Sequence, residues 1–206
     1  MSIHSCMVHP MTRRLTAQDW IDFGLRTLAR DGFDALKADV LARKLGVSRG
    51  SFYWHFSDLG AFHARLIAHW RETATEAIIA DLERHQSREE RLDALLRRGF
   101  GHNNVLEIRM RAWADHNAEA ARAVRDIDHR RQGYIDRMLV EAGVPPQLSA
   151  TRAQLLYWAY LGAAWSRSRL TAKELDRIVT DLKQLGLGAP SRPSAVIEDS
   201  HRRRKR

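Results

Sequence analysis

All five prolines of this chain (Pro10, Pro145, Pro146, Pro190 and Pro193) fall outside the segments whose apolar residues recur at helical spacing, and no stretch sustains the alternation of a strand. Proline removes a backbone donor and clashes with the preceding turn, so a chain that keeps its prolines in the gaps can wind everywhere else. The expectation is an all-α protein of about nine helices. Start signals support it: Thr16 with Asp19, Ser87 with Glu90 and Thr171 with Glu174 form capping boxes, while Ser48 and Ser57 are placed to cap two further helices. The first helix would bury Trp20, Ile21, Gly24, Leu25 and Leu28 and stop at Gly32. A long fourth helix would carry Phe62, Leu66, Trp70, Ala74, Ile78 and Leu82 at steps of four.

The segment from Leu148 to Arg167 is apolar on nearly all sides, with Leu155, Leu156, Tyr157, Trp158, Tyr160, Leu161 and Trp165. A helix of that kind must be covered all round, and 206 residues leave few helices to wrap it. A homodimer seam built from the last two helices is therefore expected, with a central buried helix of a monomer as the alternative. No run approaches the ~18 apolar residues of a membrane span. The single Cys6 cannot form an internal bridge, and residues 1–13 show no secretion signal, which fits a flexible leader and a cytoplasmic location. The net charge is +9. Residues 189–206 contribute six basic side chains against Glu198 and Asp199, so the tail holds +4 and the body about +5. A surplus of this sign suits a polyanionic partner such as nucleic acid.

The most informative stretch runs from Ala38 to Phe56, ADVLARKLGVSRGSFYWHF. Two short helices flank a turn at Leu45-Gly46-Val47, and Leu41, Leu45, Val47 and Phe52 are placed to form a small core. This is helix-turn-helix spacing, in which the second helix enters the major groove and offers its N-terminal side chains to base edges. Arg49 can bond guanine bidentately, Gly50 permits close approach, and Ser51 can bond a base edge or a phosphate. Tyr53, Trp54 and His55 are placed to reach the flanking backbone, and Ser48 opens a helix N-terminus that can receive a phosphate.

The wider pattern, Gly32-Phe33-Asp34-Ala35, Leu41-Ala42, Leu45-Gly46-Val47-Ser48 and Phe52-Tyr53-Trp54-His55-Phe56, resembles the TetR family of bacterial transcriptional regulators, without a gap from about Thr16 to Leu66. The resemblance implies a helix-turn-helix DNA-binding head over residues 14–74, its motif at about 37–56, a ligand-binding and dimerisation body over 75–188 and a flexible basic tail over 189–206. It also implies a dimer on a palindromic operator, a repressor released by a small-molecule effector that moves the long fourth helix. Two features depart from the family pattern. Leu36 and Lys37 stand where members usually carry a Thr or Ser pair, so Lys37 would replace a hydroxyl contact to phosphate by a charge contact. Leu59 stands where a phosphate-binding Lys is usual.

Within the body, Trp113, His116, Tyr157, Trp158 and Trp165 are candidates to line an aromatic effector pocket, with plain core packing as the alternative. Glu107, Arg109 and Arg111 are expected on a solvated face, with a ligand charge as the other reading. The histidines lack metal-ligand spacing, and neither a nucleophile elbow nor a glycine-rich phosphate loop is present, so no metal, cofactor or enzymatic activity is expected. The reading from a different class is a helical interaction module, or a nonspecific binder of DNA or anionic surfaces, with no effector.

Overall fold

The computed structural model describes residues 14–102, 104–166 and 169–188; the leader 1–13 and the basic tail 189–206 lie outside the described residues. Ten α-helical segments follow one another: α1 (Ala17–Asp31), α2 (Ala38–Leu45), α3 (Arg49–Tyr53), α4 (Leu59–Arg71), α5 (Ala77–Leu82), α6 (Arg88–Gly101), α7 (Val105–Ala114), α8 (Ala118–Glu141), α9 (Pro146–Ser166) and α10 (Ala172–Leu187). A π turn, Glu72–Glu76, joins α4 to α5, so the two form one rod and the described residues make nine helical rods. No strand occurs among the described residues, and none of their helices is long and apolar enough to cross a membrane.

The capping boxes form as the sequence implies, with Thr16, Ser87 and Thr171 each accepting the amide three residues on while Asp19, Glu90 and Glu174 return the bond. The start of α4 differs. Asp58, not Ser57, is its cap, taking the Ala61 amide at 2.7 Å, and the Ser57 hydroxyl donates to the Asp58 carboxylate instead. Ser57 stands one residue too early to reach the first turn. At the other end of the chain, α9 begins at Pro146, two residues before the apolar run: the first helical position has no use for the missing amide proton.

Two cores divide the molecule. The first packs α1 to α4 around Trp20, Leu41, Phe52, Phe62 and Trp70. It runs on without a break into Met110 and Trp113 of α7 and Ala120 to Ile127 of α8. Gly24 is what lets α1 lie against α4, because a Cβ there would sit 2.7 Å from Phe62 and 2.8 Å from Leu66. The second core gathers Leu82, Leu96, Tyr134, Leu139, Leu156 and Val179 from α5, α6, α8, α9 and α10.

The π turn changes the register of the rod that spans both cores. Phe62, Leu66 and Trp70 are buried at steps of four, but the next buried residues are Thr75, Ile79 and Leu82. The step from Trp70 to Thr75 is five, the π interval. Ala74 and Ile78, placed on the buried stripe by a regular helix, are displaced from it and are only half-buried.

Candidate DNA-binding surface and ligand cavity

Gly46 makes the sharp turn of the helix-turn-helix. It sits in the left-handed region (φ 68°, ψ 27°), and its amide and that of Val47 close onto the carbonyls of Arg43 and Ala42 at 3.2 and 3.0 Å. This ends α2 at the angle that releases α3 outward, a geometry that glycine adopts without steric cost. One aromatic side chain holds α3 down. Phe52 is fully buried against Trp20, Phe56 and Phe62, with ring centroids 5.1–5.3 Å apart.

With that face committed, the others point out. Arg49, Gly50 and Tyr53 are exposed, Trp54 is 83% exposed, and Ser51 and His55 are half-buried beside them. Arg49 lies on the Tyr53 ring at 5.3 Å and donates to its hydroxyl at 3.1 Å, which orders the guanidinium one turn from the helix start. Ser48 occupies the N-cap position of α3, but its hydroxyl makes no capping bond; Lys37, at the N-cap of α2, makes none either and is exposed. Seven of the eight residues expected to meet DNA thus lie on or beside α3, and Lys37 stands at the start of α2.

A cavity of about 300 Å³ lies in the body, at the lower edge of the π turn. Its walls are mainly apolar, from Ile78 and Leu82 of α5, Leu95 and Leu96 of α6, Ile135 of α8 and Leu156 of α9. Tyr134, Tyr157 and Tyr160 give it aromatic surfaces, and burial pushes the Tyr134 and Tyr160 hydroxyls up to about 12, Tyr160 with help from the Glu107 charge. Pockets of this composition, with a few polar groups on apolar walls, are the usual form of a small-molecule site.

Behind the cavity lies a buried ion cluster. Glu107 is 4% exposed and accepts from Arg131 at 2.9 Å and from Arg111 at 2.7 Å. Arg111 also pairs with Asp128 and donates to the Tyr157 hydroxyl at 3.0 Å, and that hydroxyl donates to Asp128 at 2.6 Å. Burial works against the charge on Arg111, but the Asp128 hydrogen bond and the Glu107 charge outweigh it and hold its pKa above the usual value. Arg131 is held up in the same way, by Glu107 first. Glu107 and Arg111 are therefore partners in an interior network, not members of a solvated face. Sequence reasoning passed over Arg131, although a signal was present: it falls on the apolar stripe of α8, four residues after Ile127 and before Ile135.

Of the aromatic candidates for a ligand pocket, Tyr157 lines the cavity. Trp113 is instead sealed in the first core, stacked on Phe33, and His116 is exposed at the end of α7. Trp158 and Trp165 are 60% and 67% exposed on the outer face of α9. No cluster of metal-ligating side chains occurs among the described residues.

Comparison with known proteins agrees with this geometry. Residues 21–58 match the family model of bacterial regulatory proteins of the tetR family; no curated protein matches the chain. Among solved structures, a protein described as a TetR/AcrR family transcriptional regulator superposes with a TM-score of 0.66 at 20% identity, over 82% of this chain and 97% of its own. The FadR regulator of Bacillus subtilis, in complex with stearoyl-CoA, superposes at 0.61 with 16% identity, over 85% and 100%. A protein from Saccharomonospora viridis described as a transcriptional regulator, in complex with choline, superposes at 0.63 with 15% identity, over 82% and 93%. The fold is that of the TetR/AcrR regulators, and the helix-turn-helix head is of the tetR type.

Proposed function

We infer, from a tetR-type head on a TetR/AcrR fold, that this chain is a cytoplasmic, dimeric DNA-binding transcription regulator, a repressor released from a palindromic operator by a small molecule. The observation that carries the reading is the division of labour on α3: Phe52 is committed to the core while Arg49, Gly50, Tyr53 and Trp54 are left outside it. Arg49 reads a base edge, Ser51 and Lys37 meet phosphates, and Tyr53, Trp54 and His55 flank them along the backbone. Residues 14–74 form the DNA-binding head and 75–188 the ligand-binding and dimerisation body.

The dimer comes from α9 and α10. Leu148, Leu155, Trp158 and Trp165 form an exposed stripe along α9, spaced by seven, three and seven residues, and Leu185 of α10 is also exposed. Exposed apolar surface of this continuity marks an interface, and a second copy supplies the same surface about a two-fold axis. Two heads held in this way meet half-sites about 34–36 Å apart. The 300 Å³ cavity holds the effector; the choline and stearoyl-CoA bound by two structures of this fold support a small-molecule site in the body. The chemistry described is binding, with no catalytic step.

Selection of the purified protein on a random duplex pool at near-physiological salt tests the reading. Enrichment of an inverted repeat with half-sites about one helical turn apart is expected. Binding without an enriched sequence would overturn it in favour of a nonspecific binder of polyanions.

A further inference from the structure

Cavity and π turn meet at one side chain. Arg131 is 14% exposed and forms part of the cavity wall. Its Nε donates to the Thr75 hydroxyl at 3.1 Å, and one terminal nitrogen donates to the Ala74 carbonyl at 2.9 Å. The other donates to Glu107 at 2.9 Å. Thr75 and Ala74 belong to the π turn and line the cavity as well. The guanidinium therefore clasps, across the cavity's edge, the irregular part of the rod that connects head to body. Five N–H groups are available on a guanidinium; three serve these hydrogen bonds, and Tyr157 and the Tyr160 ring, both on the cavity wall, also lie against it.

The charge pattern of the wall has one sign. Among the described residues, Arg98 and Arg131 line the cavity and no carboxylate does; Glu107 stands behind Arg131, and Asp81 holds Arg98 at 3.0 Å without joining the lining. Apolar walls ending at a cation favour an apolar body that carries an acceptor, and they penalise a buried cation.

Building on the effector reading above, we propose that the cavity takes a mainly apolar monoanion and that Arg131 binds its anionic group at the expense of its own hold on the π turn. A carboxylate competes with two neutral acceptors, the Thr75 hydroxyl and the Ala74 carbonyl, and charge-assisted bonds are roughly twice as strong as neutral ones. Glu107 is itself a carboxylate and keeps its bond. The exchange leaves Arg131 in place, charged and paired, while the π turn loses its two anchors.

Three probes with one carbon skeleton separate the possibilities: 4-phenylbutyrate, 4-phenylbutan-1-ol and 4-phenylbutylamine, each added to the full chain. The acid is expected to raise the melting temperature and at the same time to speed amide exchange in residues 72–78 by about tenfold. The alcohol does less of both, and the amine does neither. A melting temperature raised as much by the alcohol or the amine as by the acid overturns the anion selectivity. Binding of the acid without faster exchange at the π turn overturns the coupling.

Arg131→Lys keeps a positive charge beside Glu107 but lacks the planar fork that reaches three acceptors. Its π-turn amides are expected to exchange fast without ligand and to ignore the acid; exchange equal to the wild type would overturn the clasp. Thr75→Val, which leaves the Glu107 pair intact, guards against a misfolded lysine variant and should give an intermediate rate. These readings need no DNA. If operator selection fails while they succeed, the regulator reading falls and the clasp stands; the reverse result removes the clasp alone.

Discussion

Phe33 and Trp113 stack with ring centroids 4.8 Å apart and planes 20° from parallel. Phe33 lies in the short turn after α1 and Trp113 near the end of α7, so this pair joins the helix-turn-helix region to α7. His63 of α4 completes the joint, set edge-on to Trp113 at 5.2 Å and tilted against Phe33 at 5.4 Å.

Trp113→Ala empties this joint. Removal of a fully buried tryptophan costs about 3–5 kcal/mol, which lowers the melting temperature by roughly 6–20 °C in a chain of this size. Because Trp113 does not line the cavity, ligand affinity measured below the melting transition is expected to hold. A loss of ligand affinity with no loss of stability would return Trp113 to the pocket.

The same joint makes stability depend on pH. His63 donates from Nε2 to the Leu36 carbonyl at 3.1 Å, and burial lowers its pKa, with the Leu36 hydrogen bond and the Glu119 charge opposing. A base that is harder to protonate when folded contributes its full stability above the unfolded value, ~6.5, and loses it as pH falls below. Melting temperature followed from pH 8 to pH 5 is expected to decline below about 6.5, and His63→Gln should flatten that decline.

Ion pairs in this protein are unequal. Glu107→Gln leaves Arg131 without its carboxylate in the interior and is expected to cost about 3–5 kcal/mol, read by urea denaturation. Arg130→Ala breaks only an exposed pair with Glu76, at 3.0 Å, and should change stability by less than about 1 kcal/mol. Equal effects from the two substitutions would contradict the burial difference on which this rests.

On DNA, Arg49→Ala is expected to weaken binding to the selected operator by on the order of ten- to a hundredfold while binding to random duplex changes far less. Lys37→Ala should weaken both to a similar degree and reduce the salt dependence, as loss of a phosphate contact does. Fluorescence anisotropy at two salt concentrations separates these outcomes.

The sequence displays those parts of the molecule that local chemistry determines. The capping boxes at Thr16, Ser87 and Thr171, the glycine turn at Gly46 and the buried face of α3 all follow from neighbours within a few residues, and the structure has each of them. What it hides depends on residues far apart in the chain. Glu107 and Arg131 are separated by 24 positions and acquire meaning only when α7 and α8 pack. Trp113 carries the composition of a pocket residue, and only Phe33, 80 positions earlier, decides that it is a joint instead. The displaced stripe after Trp70 is a third case, since nothing in ETATE distinguishes a π turn from an ordinary one until Arg131 arrives to hold it.

That displaced stripe has a consequence for anyone who recombines such proteins. One residue corresponds to about 100° of rotation around a helix, so the portion of the rod before Glu72 and the portion after Glu76 are wound to different phases. A chimera that transplants this head onto a partner whose connecting rod is uninterrupted would present α3 turned by about that angle around the rod axis. The five residues Glu72–Glu76 must travel with the head or be matched in the recipient, however well the two halves fold.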